Sequence, residues 1–289
     1  MSHTLDGMVG AFLIVGSRNI GCVSHWIFYV ELTADENDRL VDTHDSPFTT
    51  QKSVHRRKAC SACANCDVRT MAVCAALADE ELSELDKIMT SRHLAPNEML
   101  VSEGDPLHRT YSLTAGMLRL SIALPDGRRQ ITGFLLPGDY LGLADEDVHS
   151  STAEAIGSVQ LCSFSTREMH ALMERYPKLK DRLHSFTRSA LREARDNQMI
   201  LGRLAPVEKL ASFLLALSAR AAEHKLSANP LSLPMSRTDI ADYLGLTIET
   251  VSRSFTKLRN TGMIRLPDPQ TVELIDMSAL EAVAGINVH

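Results

Sequence analysis

What the chain lacks narrows it first. No apolar run approaches the ~18–20 residues needed to span a bilayer, so no membrane role is expected. The stretch Met8–Gly16 (MVGAFLIVG) is only a weak imitation of an export signal. It has no basic segment before it and no clear small-residue cleavage site after it. These absences point to the cytoplasm. There is no excess of positive charge either: 30 Lys and Arg against 36 Asp and Glu leave a net charge of −6. Any nucleic-acid contact must then rest on a local basic face. No Ser/His/Asp set and no carboxylate pair is arranged for catalysis, and the 11 histidines are scattered, so the chain reads as a non-enzyme. Internal repeats and low-complexity tracts are also missing.

What is present is concentrated at two places. The 289 residues, 44% of them hydrophobic, leave room for two domains and a core. Of six cysteines, Cys60, Cys63, Cys66 and Cys74 fall within fifteen residues, while Cys22 and Cys162 stand apart. In a chain without a clear export signal, such a cluster favours metal over disulfides. Thiolates suit both iron–sulfur clusters and zinc. The run Cys60-Ser-Ala-Cys63-Ala-Asn-Cys66 holds two overlapping CxxC pairs, so spacing alone does not choose between Cys60 and its neighbours as ligands. Free or redox-active thiols are the further alternative.

The pattern along the chain divides it into residues 1–55, an extension to which no role is assigned, then 56–165, 166–204 and 205–289. The basic run His55–Lys58 reads as a solvated linker. A short helix is expected over Asp79–Met89, capped by Asp79, with Leu82, Leu85 and Ile88/Met89 as its apolar stripe. From His93 to about Phe164 apolar residues tend to alternate. Leu118, Leu120, Ile122 and Leu124 share a face, Pro125-Asp126-Gly127 turns, and Ile131–Leu136 returns. This predicts an antiparallel β-roll. From Thr166 the period becomes helical, with a short helix ending before Pro177 and a long one running to about Gly202. On the long helix Leu179, Leu183, Phe186, Ala190, Ile200 and Leu204 follow 3–4 spacing, the seam of a coiled-coil-like contact. Glu193 and Asn197 interrupt the seam and Asp196 lies beside it. The expected dimer contacts are therefore Leu183, Phe186, Ala190, Asp196, Asn197 and Ile200. An acid there opposes its own symmetry mate. Packing of this helix on its own domain is the competing reading.

After a helix over Val207–Ala222, the segment Ser236–Leu266 reads as a helix-turn-helix with a wing. Ser236 and Asp239 form a capping box, Gly245 supplies the turn, and Thr247 caps a second helix, Ile248–Asn260. Val251, Phe255 and Leu258 face inward, leaving Glu249, Ser252, Arg253 and Thr256 outward near its start, with Thr247 and Thr250 at its head. The segment carries five bases against three acids, a local +2. Arg253 matches guanine O6 and N7, Glu249 a cytosine amino group, and Ser252 either kind of base edge. A helical hairpin that binds protein is the alternative.

At this point the chain resembles a known family. The frame Asp242–Arg253 (DYLGLTIETVSR) looks like the recognition helix of the CRP/FNR regulators, and is similar in particular to the FNR/FixK branch. Arg129–Gly142 (RQITGFLLPGDYLG) matches that family's sensory β-roll. Overall the likeness spans roughly Cys60–Gly285. It implies an α+β chain: an N-terminal antiparallel β-roll of the cyclic-nucleotide-binding jelly-roll kind, a long dimerisation helix, and a C-terminal winged helix-turn-helix. The spacing Cys63-x2-Cys66-x7-Cys74 resembles the FNR-type cluster segment, and Cys162 falls where that family places its fourth ligand. The resemblance thus implies a [4Fe–4S] cluster on Cys63, Cys66, Cys74 and Cys162, with Cys60 as a substitute. It further implies a homodimer, double-stranded DNA of the TTGAT-N4-ATCAA kind, RNA polymerase as a partner, and an activator that answers to oxygen. Two rivals remain open. A cyclic-nucleotide sensor would need an arginine near Ser150–Ala153, and none stands there. A thiol oxidoreductase would rest on the CxxC pairs but lacks a βαβ context.

Overall fold

The computed structural model of the protein describes residues 63, 66–143, 145 and 147–285. Cys22, Cys60, Met8–Gly16 and His55–Lys58 lie outside them. The described chain begins with the cysteine segment, whose 3-10 turn Val73–Ala76 leads into α1 (Asp79–Ile88). Asp79 is not the cap of α1. Ala78 holds that position, and Glu81 reaches back to accept from the Ala78 N–H at 2.8 Å. Asp79 is already helical and pairs with Arg69. Acids crowd this first turn because its free N–H groups carry partial positive charge.

Six strands follow: β1 (Met89–Leu94), β2 (Met99–Val101), β3 (Arg109–Ala123), β4 (Arg129–Leu135), β5 (Tyr140–Leu141) and β6 (Thr152–Ser165). They pair antiparallel in the order β1-β6-β3-β4, with β2 added to β6 and β5 to β3. This is the expected β-roll. Its interior holds Leu94, Tyr111, Leu113, Leu118, Val159 and Leu161. The expected alternation holds along β3, where Leu118 and Leu120 belong to the roll core and Met117 lies on the opposite face. The β3–β4 register shifts between Leu120 and Ser121, Ser121 is buried, and Leu124 lies beyond the strand, exposed. The extra residue is Thr132 on β4, so Ile131 and Phe134 on either side of it face the same core.

Helices α2 (Thr166–Arg175), α3 (Pro177–Arg203) and α4 (Pro206–Glu223) succeed the roll. Pro177 and Pro206 open their helices, where a missing N–H costs nothing. The start of α3 packs with the cysteine segment: Leu179 and Leu183 share one core with Val68, Val73, Leu82, Leu85 and Leu172. Among the described residues, no helix is long and apolar enough to cross a membrane.

The C-terminal part contains β7 (Leu231–Ser232), α5 (Arg237–Leu244), α6 (Ile248–Asn260), the hairpin β8 (Ile264–Asp268) and β9 (Thr271–Leu274), and α7 (Met277–Ala284). The expected caps are present. Ser236 Oγ accepts from the Asp239 N–H at 3.0 Å, Asp239 accepts from the Ser236 N–H at 2.9 Å, and Thr247 Oγ1 accepts from the Thr250 N–H at 3.2 Å. Gly245 turns with φ +62°, a left-handed value that glycine adopts cheaply. Lys209, buried on α4, donates to the Leu244 carbonyl at the end of α5. A cation at that negative end holds the two helices in register.

This domain is docked on the outer face of the roll. Met117, Ile131, Phe134 and Ile156 belong to the same core as Leu214, Ile240 and Leu244. Charges fasten the edge. Arg129 reaches Asp239 at 2.7 Å and Asp242 at 2.9 Å, Arg119 reaches Asp239 at 3.3 Å, and Gln130 donates to the Asp242 carbonyl at 2.6 Å. Asp239 is only 2% exposed, so it depends on those partners. Asp239→Ala removes the reciprocal half of the α5 capping box and takes one shared carboxylate from Arg119 and Arg129, which keep Glu154 and Asp242. The expected loss is about 3 kcal/mol in urea-unfolding experiments; a loss below ~1 kcal/mol would show that apolar contact alone holds the domains together.

Candidate functional site

Two places carry chemistry, and α3 lies between them in sequence. The first is the outer face of α6. Thr247, Glu249, Ser252, Arg253 and Thr256 are exposed, while Val251, Phe255 and Leu258 are buried. Thr250 is half-buried, and its hydroxyl faces that of Thr247 at 3.0 Å, so it serves the cap as well as the surface. The Glu249 carboxyl is held below the usual carboxylate range by its own backbone N–H and by the Thr247 hydroxyl, with Arg253 adding to both. It is therefore ionised and can only accept. Arg237 lies flat over the Phe255 ring at 3.4 Å and ties α5 to α6. A shallow hollow joins Ser252, Arg253 and Thr256 to Lys257, Asn260 and Thr261. These last three were missed in the sequence. Lys257 was findable, since it follows Arg253 by four residues and so shares its face.

The second place is a cavity of about 300 Å³ that Cys63, Cys66, Cys74 and Cys162 all line. Cys63 and Cys74 are buried, Cys66 and Cys162 half-buried, and all four are free thiols. Burial pushes the Cys63 and Cys162 thiols up to about 12, with Asp86 adding to the rise at Cys63 and the neighbouring cysteines at Cys162. Cys74 is raised for the same main reason, desolvation. Cys63 Sγ lies 3.5 Å from Asp86 Oδ1, a neighbour the sequence did not reveal. Thiols in this setting are protonated and weakly nucleophilic unless a cation joins them.

Does an inorganic centre fit here? The donor set is soft, converges from two parts of the fold, and leaves one buried group without a partner: the Ser112 hydroxyl, which also lines the cavity. Among the described residues, no three Cys, His, Asp or Glu side chains stand close enough around one point to hold a single metal ion. A centre of several atoms needs a wider ring of sulfurs than a lone zinc ion does, and four soft donors lining one cavity are compatible with such a centre. Cys60 lies outside the described residues.

Several α3 residues expected at a dimer contact also meet other parts of the same chain. Leu183 and Ile200 are buried in the chain's own cores, Phe186 is half-buried under the Arg182 guanidinium at 4.5 Å, and Asn197 accepts from the Tyr243 hydroxyl at 2.7 Å. Glu193, expected as an interruption, pairs with Arg220 at 2.8 Å. These residues thus have partners within the chain. Ala190 and Asp196 are exposed. The open face runs one position along: Thr187, Leu191, Ala194, Gln198 and Leu201, at 3–4 spacing, with Leu191 52% exposed and Met199 beside it 58% exposed.

Polar contacts join these parts. Arg182 donates to the Met71 carbonyl in the cysteine segment. Gly138, at φ +105°, would drive a Cβ to 3.0 Å from the His224 ring and 3.3 Å from Met71, so only glycine lets the three meet. Beside it, Asp139 accepts from Arg220 at 2.7 Å and lies 3.3 Å from His224.

Comparison with known proteins agrees with this arrangement. The family described as the Crp-like helix-turn-helix domain matches residues 208–283, and the cyclic nucleotide-binding domain matches residues 91–176. The chain is 42% identical over 223 residues to the nitrogen fixation regulation protein FixK of Bradyrhizobium diazoefficiens, covering 77% of this chain and 94% of that one. It is 34% identical over 227 residues to the transcriptional activator protein FnrL of Cereibacter sphaeroides, covering 77% and 92%. The solved structure of FixK2 from Bradyrhizobium japonicum superposes with a TM-score of 0.64 at 33% identity, over 68% of this chain and 97% of that one.

The face of α6 yields a two-part expectation in duplex-binding titrations. Arg253→Ala should weaken binding by about 1–3 kcal/mol and relax the preference for guanine at one position. Lys257→Ala should weaken all sequences alike and lower the salt slope by about 1. If Arg253→Ala leaves base preference unchanged, that side chain does not read a base.

Proposed function

Because the chain belongs to the CRP/FNR family of DNA-binding transcription regulators, which act as dimers and are not enzymes, we propose that it is an oxygen-responsive activator of anaerobic or microaerobic genes. In this reading its dimerisation and operator binding depend on a [4Fe–4S] cluster held by Cys63, Cys66, Cys74 and Cys162. The observation that carries the proposal is the convergence of the four thiols, three from the N-terminal segment and one from β6, on a single cavity. The relatives' names, a nitrogen fixation regulation protein and a transcriptional activator protein, support the activator part of this reading. The raised thiols speak against a site for thiol–disulfide exchange, which needs accessible thiolate.

When bound, such a centre would supply an oxygen-labile cross-link between the segment and the sheet. With Cys63, Cys66 and Cys74 tied to Cys162, the segment stays against α3, where the Met71 carbonyl seats Arg182. The first half of α3 is then fixed, and the open stripe Thr187, Leu191, Ala194, Gln198 and Leu201 is presented to a second copy. Exposed Asp196 beside that stripe opposes its mate, so a dimer without the tie is poor. Moving such an equilibrium from 1:99 to 99:1 takes ~5.5 kcal/mol of differential stabilisation. In the dimer two α6 helices enter successive major grooves of a TTGAT-N4-ATCAA-like palindrome, with Glu249, Ser252 and Arg253 at the base edges. RNA polymerase is the partner that activation requires, and the Pro125-Asp126-Gly127 turn, exposed at the tip of β3–β4, is the surface we assign to it.

Purification without oxygen, followed by an absorption spectrum and iron and sulfide analysis, tests the centre. The expected product is brown, bleaches in air, and loses colour and iron in Cys162→Ser. Colourless, iron-free protein that occupies its operator at full strength would end the proposal. Light scattering in air tests the role of Asp196. Asp196→Ala should be dimeric and bind DNA at concentrations where the parent chain is monomeric, and a monomeric variant would defeat the charge-repulsion account.

A further inference from the structure

We propose that the Ser112 hydroxyl donates a hydrogen bond to the sulfur of Cys162 when that sulfur is a metal-bound thiolate, and so raises the reduction potential of the centre. This rests on the iron–sulfur reading above and extends it to a positioning residue that contributes no ligand atom.

The sheet register carries the argument. Cys162 on β6 has Ser112 directly across from it on β3 and Ser91 directly across on β1. Residues paired this way in an antiparallel sheet put their side chains on one face, in contact range. All three line the cysteine cavity. Their surroundings differ. Ser91 is exposed, so water serves its hydroxyl. Ser112 is 2% exposed, and its Oγ has no hydrogen-bond partner. The next residue along β6 shows how the fold otherwise treats such a group: Ser163, fully buried, accepts from Arg109 Nε at 2.6 Å. A buried hydroxyl left open beside a cysteine is thus an exception on this sheet, and it needs an acceptor.

A thiolate ligand is that acceptor. It keeps its negative charge while bound to metal, and an O–H can point at it without displacing anything. Hydrogen bonds to ligand sulfurs stabilise the more electron-rich state of an iron–sulfur centre. Losing one therefore makes reduction harder. A hydrogen bond to a charged group corresponds to about a tenfold change in an equilibrium constant.

The test uses the full chain, loaded without oxygen with iron and sulfide, in four forms: the parent, Ser112→Ala, Ser112→Thr and Ser91→Ala. Iron and sulfide content and the midpoint of a one-electron redox titration are measured for each. Ser112→Ala should hold as much iron as the parent while its reduction equilibrium falls about tenfold, a midpoint about 59 mV more negative. Ser112→Thr keeps the hydroxyl and should match the parent, as should Ser91→Ala. Loss of iron in Ser112→Ala with retention in Ser112→Thr would also support the assignment. An unchanged midpoint in Ser112→Ala, or a Ser112→Thr that behaves like it, overturns the serine's role while leaving the metal site standing. A parent chain that takes up no iron overturns both.

Discussion

Strand β6 is hydrogen-bonded on both sides, to β1 and β2 along one edge and to β3 along the other. A strand paired this way cannot shift register without breaking two ladders. Cys162 is therefore held at a fixed point, with Ser91 and Ser112 beside it and the α1 core beneath. The three other thiols come from a segment built of turns, with no ladder of its own. That segment is nonetheless packed, with Val68, Ala72, Val73 and Leu77 buried in one core with the start of α3.

A second constraint joins that segment to the rest of the chain. The turn at Gly138-Asp139 meets Met71 of the segment on one side and Arg220 and His224 of α4 on the other. Arg220 is also bound by Glu193 of α3, whose own carboxyl burial pushes above the usual range. Charges taken out of water hold one arrangement sharply, because every alternative leaves one of them unpaired. Their value here is in specifying how roll, long helix and DNA reader sit together rather than in raw stability. The pairs of Arg119 and Arg129 with Asp239 and Asp242 do the same at the other edge of the contact.

The long helix shows how far sequence reasoning reaches. Its apolar period was plain, yet two stripes one position apart satisfy it. Leu183 and Ile200 belong to the more hydrophobic stripe, and they are consumed by the chain's own cores. The paler stripe, with Thr187, Ala194 and Gln198, is the one left open. A helix that packs on its own domain and also meets a partner needs two apolar faces, and hydrophobicity alone ranks the inner one first. The exposed α6 face was easier, because a buried Val251, Phe255 and Leu258 leave its polar residues one place to go. Ser112 and Asp86 were invisible, since their meaning comes from strands and helices far away in the chain.

Local rules were thus enough for the order of elements, for the caps at Ser236 and Thr247, for the turn at Gly245 and for the exposed face of α6. Each depends on residues within a few positions, where backbone sterics and short hydrogen bonds decide. The family frame extended this to the cysteine spacing. Only tertiary structure decided which face of α3 remains free, which carboxylates neutralise Arg119, Arg129 and Arg220, and which hydroxyl stands beside Cys162. Those outcomes follow from long-range pairing. Burial removes water from a charge or a hydroxyl, and the group that replaces it is chosen by the whole fold and not by its neighbours in sequence.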